Sequence, residues 1–223
     1  MNNSSKKALP KFTKGEEIFN AVSHIVGGGL AVVFLVIGLT FAAIYQDGVA
    51  IVAMLIYGIC MILLYIASSI YHFLRPNLAK RVFRVLDHCT IFLLIAGTYT
   101  PFCLIALRGE GAWGWTLFGL LWSFAILGIV LNSINMHSKA VKIFSMTSYL
   151  VLGWCGIIAI VPLLRVMPVA GIVLTALGGV AYTVGVIFYA CGHKWKFSHG
   201  IWHLFVLAGS ILQFFAILFY VLM

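Results

Sequence analysis

A chain of 223 residues that is 63% hydrophobic and only 9% charged lies outside the range of water-soluble domains, in which about a quarter of the residues carry charge. At about 20 residues per membrane crossing, its apolar stretches take up most of the length and leave no room for a separate soluble domain. The formal charge of +9 is spread over short loops between apolar runs and forms no single basic face, which excludes nucleic acid as a partner.

Taken in chain order, residues 1–17 are expected to form a basic cytoplasmic tail and residues 18–223 a transmembrane domain. The first apolar run is too long for the hydrophobic region of a secretory signal and has no clear cleavage site, so it reads as a retained helix. Seven spans follow at roughly residues 19–44, 49–73, 83–106, 112–134, 142–164, 168–191 and 199–222, each apolar and bounded by charge. The fold class is therefore an all-α membrane protein, a seven-transmembrane helix bundle. Gly27-Gly28-Gly29 and Pro101 lie inside spans, where membrane helices tolerate them, so no break is expected there. Tyr99 and Thr100 are expected to satisfy backbone freed by Pro101. Gly153 with Gly156, and Gly178 to Gly185, have small-residue spacings that can mark close helix contacts. The five cysteines, Cys60, Cys89, Cys103, Cys155 and Cys191, show no C-x-x-C spacing and suggest neither a disulfide framework nor a thiolate zinc site.

Orientation follows from where the fourteen Lys and Arg residues fall, because cytoplasmic loops retain them during insertion. The tail holds Lys6, Lys7, Lys11 and Lys14, and the second loop holds Arg75, Lys80, Arg81 and Arg84. The fourth adds Lys139 and Lys142 and the sixth Lys194 and Lys196, twelve in all, against Arg108 and Arg165 on the other side. The amino terminus is thus expected in the cytoplasm and, with seven spans, Met223 outside.

Ionisable side chains inside spans are costly and are functional candidates by default. The second span ends with Ser68 and His72, the third begins with Asp87, and the seventh begins with His199 and His203. Four-residue spacing puts Ser68 and His72 on one helix face, and His199 and His203 likewise, all at one depth. Three imidazoles with a carboxylate and a hydroxyl match a catalytic zinc site, which uses three protein ligands and keeps a fourth position for water. His72, His199 and His203 are assigned as the ligands. Asp87 is assigned as the group that holds and deprotonates the water. His88, next to Asp87, points about 100° away around the helix and reads as structural, while His137 and His193 fall in loops and read as solvated. Glu17, Asn20 and His24 line the inner end of the first helix at helical spacing, where they either join the same vestibule or serve as cap and interface residues.

The combination Glu17-Ile18-Phe19-Asn20 with His24, Ser68-x-x-x-His72, Asp87 and His199-x-x-x-His203 resembles the hemolysin III family, the bacterial branch of the superfamily that includes the adiponectin receptors. The resemblance spans nearly the whole chain. It implies a multi-pass protein of the bacterial plasma membrane, with zinc on His72, His199 and His203 and with Asp87 contacting the zinc water. In related membrane hydrolases such as alkaline ceramidases a serine lies beside the metal, and Ser68 matches it.

The leading functional expectation is a zinc-dependent hydrolase acting on a lipid amide or ester, with a role in membrane lipid homeostasis. Asp87 would act as base and Ser68 would steady the tetrahedral oxyanion. Membrane lipids and a lipid-like substrate or ligand are the expected partners. Three alternatives stand beside it: a membrane-state sensor or receptor in which zinc is structural, a pore or transporter in which Asp87 and the histidines relay ions, and a bis-histidine haem protein. The oligomeric state is left open.

Overall fold

The computed structural model describes residues 9, 10, 12–192 and 195–223. Lys6, Lys7, Lys11, His193 and Lys194 lie outside the described residues.

Helix α1 (Lys14–Tyr45) begins with a capping box, in which Thr13 and Glu16 bond each other's backbone N–H groups, satisfying two donors that a helix start leaves open. It starts five residues earlier than the apolar run, because capping and not hydropathy sets its first turn. The glycine triplet does not interrupt it. At Gly27 an added Cβ would sit 2.5 Å from the Tyr65 ring, so the missing side chain lets α2 press close. Helix α2 (Gly48–Phe73) follows a two-residue link and is capped by Asp47, whose carboxylate accepts from Val49 N and Ala50 N. Helix α3 (Leu78–Leu104) is capped by Asn77, which accepts from Lys80 N at 2.8 Å.

Helix α4 (Trp113–Asn135) lies against α3, with Gly114 under the Cys103 carbonyl. The fifth span is composite: α5 (Lys139–Gly153), a 3₁₀ stretch Cys155–Ala159, and α6 (Ile160–Val166). Helix α7 (Val169–Cys191) and helix α8 (Ser198–Ile217), which ends in a π turn Leu218–Leu222, complete the chain. Among the described residues seven helical stretches, the composite one included, are long and apolar enough to cross a membrane. Helices α1 to α4 pack each on the next, α7 pairs with α8, and α8 closes on α1. Gly178 and Gly185 face the side chains of Gln213, and of Trp202 and Phe205, at distances that leave no room for a Cβ, so this spacing does mark the α7–α8 contact.

Two local expectations need correction. Of Gly153 and Gly156 only the second meets a neighbouring helix closely, a Cβ there lying 3.3 Å from the Tyr99 side chain, and the two do not sit on one continuous helix. The fifth span breaks between them, and the Tyr99 hydroxyl spans the break, donating to Gly153 O at 2.7 Å and accepting from Gly156 N at 3.0 Å. Nor do Tyr99 and Thr100 serve the backbone freed by Pro101. Tyr99 serves the neighbouring span, and Thr100 donates to Ala96 O at 2.8 Å, while α3 runs through the proline unbroken. Replacing Tyr99 by Phe leaves both groups unpaired in an apolar interior, and a loss of about 1–3 kcal/mol is expected. It is read as a lower thermal midpoint in detergent; an unchanged midpoint would mean that the break is satisfied some other way.

The described cations sort by end as the loops predict. Lys14, Arg75, Lys80, Arg81, Arg84, Lys139, Lys142 and Lys196 lie at one end of the bundle, and Arg108 and Arg165 at the other. There Arg108 pairs with Asp47 and Arg165 with Glu110. The five cysteines are free thiols.

Candidate metal centre

The end of α2 and the start of α8 meet at the basic end of the bundle and bring three imidazoles together. One ligand atom from each of His72, His199 and His203 lies within 4.8 Å of the others. His72 Nε2 and His199 Nε2 are 3.2 Å apart. Tetrahedral zinc with Zn–N bonds of about 2.0–2.1 Å holds its nitrogens about 3.3 Å apart, so this pair is already at ligand spacing. His72 and His203 are buried and His199 is half-buried.

Local structure puts α8 there. Phe197 turns the chain in the left-handed region (φ 59°), its N–H donates to Glu16 Oε1 at 3.1 Å, and the Ser198 hydroxyl bonds Phe188 O. A Cβ on Gly200 would strike the Phe19 ring and Asn20 Oδ1, so glycine there lets the first turn of α8 lie directly on α1.

The outer nitrogens of two of these rings are engaged by α1. His72 Nδ1 lies 2.7 Å from Glu17 Oε2, and His203 Nδ1 lies 3.1 Å from Asn20 O and 3.2 Å from Ser23 Oγ. A carboxylate or carbonyl that accepts a hydrogen bond from Nδ1–H leaves the Nε2 lone pair for a metal and fixes the ring. Glu17 Oε1 in turn accepts from Lys80 Nζ at 2.6 Å. Three imidazole nitrogen donors with this outer layer of acceptors fit zinc by chemistry and by spacing.

Around the centre lie buried polar atoms with no protein partner among the described residues: Ser68 Oγ, Asn20 Oδ1 and both ring nitrogens of His24. His24 stacks on His203 with centroids 3.6 Å apart. Asp87 is not among the close ligand atoms. It lines a small cavity with His24, His88, His199, His203 and Tyr189, and a wider one toward the tail with Phe12, Tyr71 and Arg84. His88 borders both cavities beside Asp87. His137 is half-buried in the turn after α4. Away from the tail the small cavity shares Leu64, Ile91, Trp202 and Val206 with an apolar, partly open cavity between α3, α5, α7 and α8. A second of similar size continues past Tyr99, Trp154 and Gln213.

Two of the residues that build the site were not among the expected ones. Lys80, counted among loop cations, is 2% exposed. Its signal was helical register, since Lys80, Arg84 and Asp87 follow one another at four and three residues and share a face. Phe12, whose ring lies 5.7 Å from that of His72 and 5.2 Å from that of His199, sits in the tail, where hydropathy carries no signal.

The sequence comparisons agree with this architecture. The family model described as "Haemolysin-III related" matches residues 12–214. The chain is 43% identical over 214 residues to "Hemolysin-3" of Bacillus cereus, covering 96% of this chain and 95% of that one. It is 43% identical over 212 residues to "Hemolysin-3 homolog" of Bacillus subtilis (strain 168), covering 94% and 96%. A human relative, "Monocyte to macrophage differentiation factor", is 26% identical over 169 residues, covering 73% of this chain and 67% of its own length. The chain thus belongs to the haemolysin-III-related family and is a multi-pass protein of the bacterial plasma membrane.

Proposed function

We propose that this protein is a zinc-dependent hydrolase that cleaves an amide or ester bond of a membrane lipid and so contributes to membrane lipid homeostasis. The observation that carries the proposal is a three-imidazole centre whose His199 and His203 line one small cavity with Asp87, a cavity that shares wall residues with an apolar one beyond it. Zinc on His72, His199 and His203 would supply Lewis acidity, polarising a carbonyl and lowering the pKa of water to about 7.

The chain's own residues do the rest. Asp87 takes a proton at its carboxylate oxygen and returns it to the leaving nitrogen or oxygen. Ser68 Oγ, buried and without a hydrogen-bond partner among the described residues, would donate to a developing oxyanion. Glu17 and the Asn20 carbonyl hold His72 and His203 in register. The apolar cavities take an acyl chain and keep bulk water out. The basic end is assigned to the cytoplasm by the excess of Lys and Arg there, which places the centre near the inner leaflet.

The proposal is tested by reconstituting purified protein with N-acyl and ester lipids and measuring released fatty acid before and after chelation. Release that stops on chelation and returns with zinc supports it. Fatty acid release indistinguishable from protein-free liposomes across both lipid classes would sink the hydrolase reading. In that case the second reading takes its place: zinc as a structural clamp between α2 and α8 in a sensor or receptor. The Phe12 ring over His72 and His199, which covers the centre from the tail side, favours that reading.

A further inference from the structure

Lys80 is an unexpected buried cation. Arg75 and Arg81 on either side of it are exposed, as loop cations near lipid headgroups should be, yet Lys80 is 2% exposed. The turn between α2 and α3 is built around it. Asn77 caps α3 through Lys80 N, and Leu74 O accepts from Lys80 Nζ at 3.0 Å. The ammonium also lies 5.0 Å from the centre of the Tyr71 ring. Its shortest bond, 2.6 Å, is to Glu17 Oε1, whose second oxygen is the one that meets His72 Nδ1. Lys80, Glu17 and His72 therefore form a continuous line from the α2–α3 turn to the metal centre, with one carboxylate shared between a cation and an imidazole.

We infer that Lys80 is a positioning residue for the metal centre: by holding one oxygen of Glu17 it aims the other at His72 Nδ1, which fixes that ring with Nε2 toward the metal. This rests on the metal-centre reading given above and adds to it a residue from α3. The physical reason is geometric. A glutamate has three rotatable bonds and, half-buried at the bundle end, would otherwise sample several rotamers. A charge-assisted bond to a lysine that is itself enclosed selects one. Outer residues of this kind typically govern metal affinity by about 10- to 100-fold.

The inference makes a prediction opposite in sign to simple electrostatics. Lys80 is a cation close to a cation site, so if charge alone mattered its removal would tighten zinc binding. If Lys80 acts by aiming Glu17, removal weakens binding.

The experiment is zinc affinity of detergent-purified full-length protein, measured by competition with a chromophoric chelator, for wild type, Lys80→Met, Glu17→Gln and the double variant. Weakening by about 10-fold or more in Lys80→Met, with no further weakening when Lys80→Met is added to Glu17→Gln, is the expected result. Equal or tighter binding in Lys80→Met, or the same weakening in both backgrounds, overturns it. A Lys80→Gln variant, which keeps a donor without the charge, serves if Lys80→Met does not fold, and weakening smaller than that of Glu17→Gln is expected from it; tighter binding overturns the inference. A readout that needs no metal separates failure of this inference from failure of the metal reading. In metal-free protein carrying ¹⁵N-labelled histidine, the His72 signal, located by its loss in His72→Gln, should report a single tautomer protonated on Nδ1 in wild type and a mixture in the Lys80 variant. One tautomer in both overturns the positioning role even if wild type binds zinc, whereas wild-type protein that binds no zinc while Lys80 still selects the tautomer overturns the metal reading alone.

Discussion

Protein purified without chelator is expected to carry about one zinc per chain, and the His199→Ala, His203→Ala double variant close to none. The reason is the division of ligands between helices. His72 comes from the end of α2, and the other two from successive turns of α8, so the double change leaves one imidazole of three. A lone imidazole cannot hold zinc against water and buffer. The structural side effects are contained. His199 is only half-buried, and a His203→Ala cavity beside His24 is lined by polar atoms that water can satisfy. Metal analysis by inductively coupled plasma mass spectrometry, paired with a thermal melt, reads the result. Equal zinc in both proteins would place the metal elsewhere, and no metal in either would leave the three histidines as an interface cluster and revive the transporter reading.

The second large effect is expected at Asp87. Changing it to alanine should lower lipid turnover by about 10²–10⁴-fold, the usual range for a lost general acid–base group, while zinc content stays near wild type. The split between the two readouts follows from position. Asp87 lines the same cavity as His199 and His203 but lies outside the close set of ligand atoms, so it can act on a substrate without holding the ion. Turnover unchanged in Asp87→Ala would remove the carboxylate from the mechanism. Loss of zinc together with turnover would make it a ligand instead.

Much of the site was legible in the primary structure because membrane burial is so restrictive. A histidine four residues from another histidine on an otherwise apolar helix has few reasons to be there, and the same holds for Asp87 on the third span. Glu17, Asn20 and His24 carried the right spacing but no decision between cap and vestibule. That decision depends on which way α1 is rotated against α2 and α8, and it fell to the vestibule once Glu17 was seen on His72 and Asn20 O on His203. Lys80 was misplaced because a lysine at a helix start normally extends into the interface, and only the closed turn at Leu74 and Asn77 keeps it inside. The break in the fifth span was hidden because its residues are as apolar as those of an unbroken helix. The group that makes it tolerable, the Tyr99 hydroxyl, belongs to α3.

The amino-acid sequence by itself determined the number of spans, the clustering of cations at one end, and the depth and spacing of the three histidines. Each of these follows from one-dimensional rules: hydropathy over a membrane thickness, charge by loop, and the period of a helix. Only the tertiary structure decided which face of α1 meets His72 and His203, that Lys80 turns inward, and that Asp87 lines the small cavity beside His199 and His203. Those depend on helix rotation and close approach, set by glycines such as Gly27 and Gly200 against the rings of Tyr65 and Phe19. Such contacts join residues far apart in the chain, and no local pattern encodes them.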